Sequence, residues 1–151
     1  MIKYEGYAIT FTEVPDEVSV CINITNCQGT CKGCHSPQLR ENIGRDLEAD
    51  LPRILDDNKD NATCVCFMGE GNDPYALGKC ILMAKQAGFK TCLYSGRNDV
   101  NIAYQYSLDY IKIGEYIEDK GGLNKETTNQ RFFQIKHFPV DITYRFKRRE
   151  S

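Results

Sequence analysis

The sequence predicts an α/β domain built on a mainly parallel sheet of about 4–6 strands. Three observations carry that expectation. Apolar, strand-like runs at 18–24, 62–68, 89–95 and 108–113 alternate with stretches of helical period. The run ATCVCFM is almost continuously apolar, as in a strand covered on both faces. The connections between runs are long enough for right-handed crossovers, which parallel strands require.

Taken in order, Val18, Val20, Ile22 and Ile24 alternate with other residues and give the first strand, which runs straight into a cysteine-bearing stretch. Leu47, Leu51, Ile54 and Leu55 recur at helical spacing, with Asp50 as the expected cap and Pro52 in the first turn of a short helix. Asp73-Pro74 reads as a cap followed by proline at the first helical position, with Leu77, Ile81, Leu82 and Ala84 as the buried stripe and Gly88 as the stop. A shorter helix is expected around Val100–Tyr106. Residues 114–134 are polar and glycine-containing, hence mostly loop, and Val140–Phe146 could form one more strand. No repeat or linker divides the chain, so 1–151 reads as a single domain. In this order the cysteine stretch, Gly69-Glu70-Gly71, Ser95-Gly96 and Gly114 each follow a strand. They fall together on the carboxyl edge of a parallel sheet, where such folds bind ligands.

Composition narrows the function. The 151 residues include 19 lysines and arginines against 21 aspartates and glutamates, a net charge of −2. That balance gives no electrostatic reason to expect nucleic acid or an anionic membrane as partner. No apolar run approaches a membrane span, and MIKYEGYAIT lacks a cationic-then-apolar signal pattern, so a cytoplasmic location is expected. The chain is too short for a complete eight-unit βα barrel, which takes about 250 residues.

Eight cysteines stand out. In a reducing compartment they serve as small core hydrophobes or as metal ligands. Cys64, Cys66, Cys80 and Cys92 lie inside apolar runs and read as core thiols. Cys27, Cys31 and Cys34 lie in NCQGTCKGCHSP, a polar stretch with glycines at 29 and 33. A C-x3-C-x2-C loop can gather three thiolates. A cubane 4Fe–4S cluster normally takes four cysteines, so three would leave one iron open to a non-protein ligand. Two other readings of this spacing are a structural zinc site completed by Cys21 or His35 and a disulfide-exchange site.

The segment C27-QGT-C31-KG-C34 matches the radical S-adenosylmethionine (SAM) signature. With INITNC before it, CFMGEGNDP and LYSG after later strands, and IKIGEYIEDKGGL and TTNQRF near the end, the chain resembles the activating components of anaerobic ribonucleoside-triphosphate reductase, a family of glycyl-radical enzyme activases. The resemblance implies a partial, open (βα) barrel of the radical SAM type. It implies Cys27, Cys31 and Cys34 as ligands of a 4Fe–4S cluster whose fourth iron is chelated by SAM. Reductive cleavage of SAM would yield a 5′-deoxyadenosyl radical, which takes a hydrogen from a backbone glycine of the partner reductase. The cofactor carries the hard chemistry and the protein positions it.

An electron donor such as reduced flavodoxin or ferredoxin is implied as a second partner, and homodimerisation is left open. The resemblance also implies SAM contacts from His35, from Gly69, Glu70 and Gly71, and from Ser95 and Gly96. The family turn carries two glycines and then an acid, so Glu70 stands where the second glycine is expected. Asp73 reads equally as a helix cap or a ligand. Asn129-Gln130-Arg131 could contact SAM or the partner, or simply brace a loop. His137 reads as an ordinary histidine, and Arg145-Phe146-Lys147-Arg148-Arg149 as a solvated end or a docking surface. Two alternatives stand beside the leading one: activation of another glycyl radical enzyme of the pyruvate formate-lyase type, or a non-catalytic, zinc-stabilised interaction module.

Overall fold

A computed structural model describes residues 1–25 and 43–147. Its strands are β1 (Lys3–Thr10), β2 (Ser19–Ile24), β3 (Arg45–Asp46), β4 (Cys64–Met68), β5 (Lys90–Tyr94), β6 (Tyr110–Ile113), β7 (Arg131–Ile135) and β8 (Pro139–Asp141). The helices are α1 (Leu47–Asn58), α2 (Pro74–Gln86), α3 (Ile102–Gln105) and α4 (Tyr144–Lys147). The strands form one sheet in the order β3-β1-β2-β4-β5-β6-β7-β8.

This corrects the expected architecture. The described residues form an eight-stranded mixed sheet with four short helices, not a partial, open (βα) barrel on a mainly parallel sheet of about 4–6 strands. The pairs β2–β4, β4–β5 and β5–β6 are parallel, but the other four pairings are antiparallel. The reason lies at the two ends of the chain. β1 folds back on β2 with a bulge between Tyr4 and Tyr7, where Gly6 takes φ +77°, so its apolar alternation is broken in the sequence. At the far side the segment expected to be loop supplies β7, whose Phe132 and Phe133 pair with Lys112 and Ile111. The strand expected over Val140–Phe146 ends at Asp141, and α4 follows.

Helix positions follow local chemistry. Asp46, not Asp50, caps α1, its carboxylate accepting from the Glu48 amide at 3.1 Å. Asp50 sits inside the helix, accepting from the Tyr4 hydroxyl and the Arg45 guanidinium, each at 2.7 Å. Asp73 caps α2 with Pro74 at the first position, and its side chain accepts from the Ala76 amide at 3.0 Å. Leu82 is corrected from the buried stripe of α2, being 54% exposed, while Cys80 takes a core position.

Two cores separate on the two sheet faces. Val20, Ile22, Val65, Phe67, Leu93 and Ile111 face α1, α2 and α3. The opposite face carries Cys21, Cys64, Cys66, Cys92, Tyr110 and Phe132, packed with Val14, Leu123, Ile142 and Phe146. With both faces covered, the central strands have no solvated side, which is why they read as unbroken apolar runs. No helix among the described residues is long and apolar enough to cross a membrane.

Candidate cofactor-binding edge

The parallel strands β2, β4, β5 and β6 end on one edge of the sheet, and the described loops that leave β4, β5 and β6 meet there. Thr25, just past β2, is buried. Its amide donates to the Lys3 carbonyl at 3.0 Å and its hydroxyl to the Ile43 carbonyl. The chain therefore leaves the described fold and rejoins it at one hydrogen-bonded point. Cys27, Cys31, Cys34 and His35 fall between these residues, outside the described ones.

After β4, Gly69 and Gly71 take φ of +119° and +68°, a backbone region that disfavours side chains. A Cβ at Gly71 would also lie 3.1 Å from the Ile24 side chain at the end of β2. This turn holds Glu70 against the next one. The Ser95 hydroxyl donates to Glu70 Oε2 at 2.6 Å, and Arg97 Nε lies 3.3 Å from Oε1. Ser95 is fully buried, and its Oγ also accepts from the Arg97 amide at 3.0 Å. Gly96 is exposed beside it.

The third turn is tied to the second. The Gly114 amide donates to the Arg97 carbonyl at 2.7 Å. The buried Lys112 ammonium donates to the carbonyls of Ser95 and Gly114, each at 3.0 Å, and lies 5.5 Å from the Tyr94 ring centroid. Gln130 and Asn129 then clamp this turn from β7's side, donating to the Gly114 and Glu115 carbonyls at 3.4 and 3.1 Å. Beyond it, Glu115, Tyr116, Ile117, Glu118 and Asp119 line a cavity of about 290 Å³.

The fold thus joins Gly69, Glu70, Gly71, Ser95 and Gly96 at one place, and gives Asn129 and Gln130 a bracing position. Arg131 turns instead to Asp141, at 2.7 Å. Asp73 is engaged by its helix and by the N-terminal ammonium at 2.6 Å. His137 is exposed in the β7–β8 turn, at the opposite edge. In the basic tail Arg145 pairs with Asp16 at 3.1 Å, while Arg148 and Arg149 lie outside the described residues. Sequence reasoning missed Lys112 and Arg97. The signal for Lys112 was a single charge inside the apolar strand YIKI, a placement that costs free energy unless the ammonium finds partners.

Compared with known protein families, curated proteins and solved structures, the chain finds no match.

The remaining cysteines are placed for packing. Cys21, Cys66 and Cys92 stand in register across β2, β4 and β5. Hydrogen bonding to Cys66, with burial, pushes the Cys21 thiol far up, and burial raises the thiols of Cys64, Cys66 and Cys92. Burial pushes Cys80 up to about 12. All five are free, protonated thiols, and the thiolate is the form that ligates metal. Among the described residues no group of three or more His, Cys, Asp or Glu side chains could hold a metal ion. Cys21 faces the second core, which weakens its candidacy as the fourth ligand of a zinc site.

Proposed function

We propose that this protein is a radical SAM activase, which cleaves SAM reductively at a 4Fe–4S cluster to generate a glycyl radical on an anaerobic ribonucleoside-triphosphate reductase. One observation carries the reading. The sequence with C-x3-C-x2-C spacing is bounded by Thr25, which follows β2 beside the glycine turn that packs on Ile24, and by Ile43, whose carbonyl accepts from the Thr25 hydroxyl. The edge of parallel strands that would face a ligand is the edge to which the three loop thiols are tethered. The reading does not depend on a barrel.

The donor set fits the cluster. Three soft thiols are grouped in one polar stretch, while the five described ones are buried and protonated. Cys27, Cys31 and Cys34 would hold three irons, leaving the fourth for SAM. When bound, the cluster supplies the electron for cleavage of the sulfonium.

The chain's own residues bind and orient. Glu70 offers a carboxylate to the amino group of SAM, and the Ser95 hydroxyl and Arg97 hold that carboxylate in place. Lys112 fixes the carbonyls of Ser95 and Gly114, which sets the separation of two turns. Gln130 and Asn129 keep the third turn closed on its far side. The protein works in the cytoplasm with a one-electron donor such as reduced flavodoxin or ferredoxin, in keeping with its free thiols.

The test is turnover of SAM to methionine and 5′-deoxyadenosine by anaerobically reconstituted protein. Cys27→Ala, Cys31→Ala and Cys34→Ala should each abolish it, and Cys80→Ala should retain it at reduced stability. Normal cleavage by any of the three loop variants would end the proposal.

A further inference from the structure

Three of the buried thiols stand in a row that the proposed chemistry does not use. β2, β4 and β5 are parallel neighbours, and their register sets Cys21 beside Cys66 and Cys66 beside Cys92. All three side chains belong to one core, on one face of the sheet. In-register residues of adjacent strands lie roughly 4.8 Å apart at Cα, inside the span of about 4.4–6.8 Å that a disulfide bridges. The Cys21 and Cys66 thiols are already hydrogen-bonded to each other. The other two buried thiols have no thiol in register. Cys64 stands opposite Ser19 and Lys90, and Cys80 lies on α2 in the core of the other face.

Access from solvent is unequal along the row. Cys66 and Cys92 are fully buried, whereas Cys21, at the outer end, is 5% exposed. Its register partner on β1 is Ala8, which is small and exposed, and the Thr10 hydroxyl lies 3.3 Å from its sulfur. A small oxidant therefore meets Cys21 first, and the sulfur directly behind it is that of Cys66.

We propose that Cys21 and Cys66 are a peroxide-sensitive pair that closes to a disulfide across β2 and β4. Hydrogen peroxide transfers one oxygen to the Cys21 sulfur, giving a sulfenic acid and one water. The Cys66 sulfur then attacks the Cys21 sulfur, the S–O bond breaks, and the departing hydroxide takes the Cys66 proton as a second water. Two thiols lose two electrons and one peroxide gains them. Cys92 stays a thiol, because Cys66 stands between it and Cys21. Both reacting thiols are held protonated, so closure is slow at neutral pH and quickens as pH rises. This is independent of the proposed chemistry, since neither cysteine belongs to the carboxyl-edge site.

Peroxide treatment of the full, metal-free chain tests it, with the remaining thiols alkylated and the digest mapped by mass spectrometry. A peptide joining Cys21 to Cys66 is expected, absent from Cys21→Ala and Cys66→Ala, present in Cys80→Ala and removed by dithiothreitol. In a chain carrying Cys27→Ala, Cys31→Ala and Cys34→Ala together, thiol titration in denaturant should show two of the five other thiols lost and the same joined peptide. Circular dichroism confirms that each variant is folded. If Cys66→Ala does not fold, the wild-type map and Cys21→Ala decide. Survival of all five thiols at a peroxide level that oxidises the urea-unfolded chain, a bond from Cys66 to Cys92 instead, or Cys21 driven to the sulfinic acid with Cys66 still free would overturn it.

Discussion

Replacing Phe132 by alanine tests whether β7 completes the sheet. Phe132 is fully buried on the second face, with ring centroids of Phe146, Tyr110 and Tyr94 at 5.0, 5.9 and 6.2 Å. Its amide donates to the Thr143 hydroxyl at 2.8 Å inside the core. A phenylalanine buries roughly 200 Å². At about 25 cal/mol per Å² its burial is worth up to about 5 kcal/mol. The aromatic neighbours come from β5, β6 and α4, so the cavity cannot close without moving three elements. A cost of about 4 kcal/mol follows, inside the usual range for Phe→Ala in a core. For a chain of this length that lowers Tm by about 8–16 °C. Urea unfolding and thermal circular dichroism give both numbers. Phe138→Ala is the control, because that side chain is 65% exposed and should cost no more than about 0.5 kcal/mol. If Phe132→Ala cost no more than the control, β7 would not lie on β6 and the eight-stranded sheet would be wrong.

Three further predictions follow from named contacts. Gly44→Ala should destabilise by more than about 1 kcal/mol, since φ is +99° and the added Cβ would run into the Tyr4 carbonyl where β3 joins β1, a loss visible in urea midpoints. Stability should be level near neutrality and fall from about pH 4.5 toward pH 2. Burial pushes the Glu17 carboxyl up, but hydrogen bonds from Thr63, Lys90 and Tyr110 outweigh it and leave it below its ordinary value. Hydrogen bonds from Arg45 and Tyr4 hold Asp50 at about 2. Both groups are depressed by folding, so their stabilisation is present above the unfolded carboxylate range and is lost on acidification. Glu17→Gln should therefore cost about 1–2 kcal/mol at pH 7 and flatten the acid limb of a stability–pH curve. Ser95→Ala should weaken SAM binding to the reconstituted protein while leaving iron content unchanged, as measured by equilibrium dialysis and metal analysis. Loss of iron in that variant would contradict the positioning role given to Ser95.

The central strands and α2 were legible because several signals agreed there. Asp73-Pro74 gave a cap and a pre-set φ, Gly88 gave a stop, and the run at β4 was apolar enough to show burial on both faces. The edges of the sheet were not legible. In β1 the Gly6 bulge breaks the two-residue period, and in β7 five residues of strand sit after a long polar stretch that dominates any window average. Asp50 looked like a cap because Pro52 suits a first helical turn. Tertiary contacts with Tyr4 and Arg45 hold it inside the helix instead. At the candidate site the glycine turn and Ser95 were visible as punctuation after strands. That Glu70 reaches Ser95, or that Lys112 spans two turns, depends on strand order, which no local pattern carries.

The most direct test of the proposed function is electron paramagnetic resonance on anaerobically reconstituted, reduced protein, recorded with and without SAM. A reduced 4Fe–4S signal that changes when SAM is added is the predicted result, with the signal absent from Cys27→Ala, Cys31→Ala and Cys34→Ala. A chain that takes up zinc instead, or a cluster signal indifferent to SAM, would contradict the account.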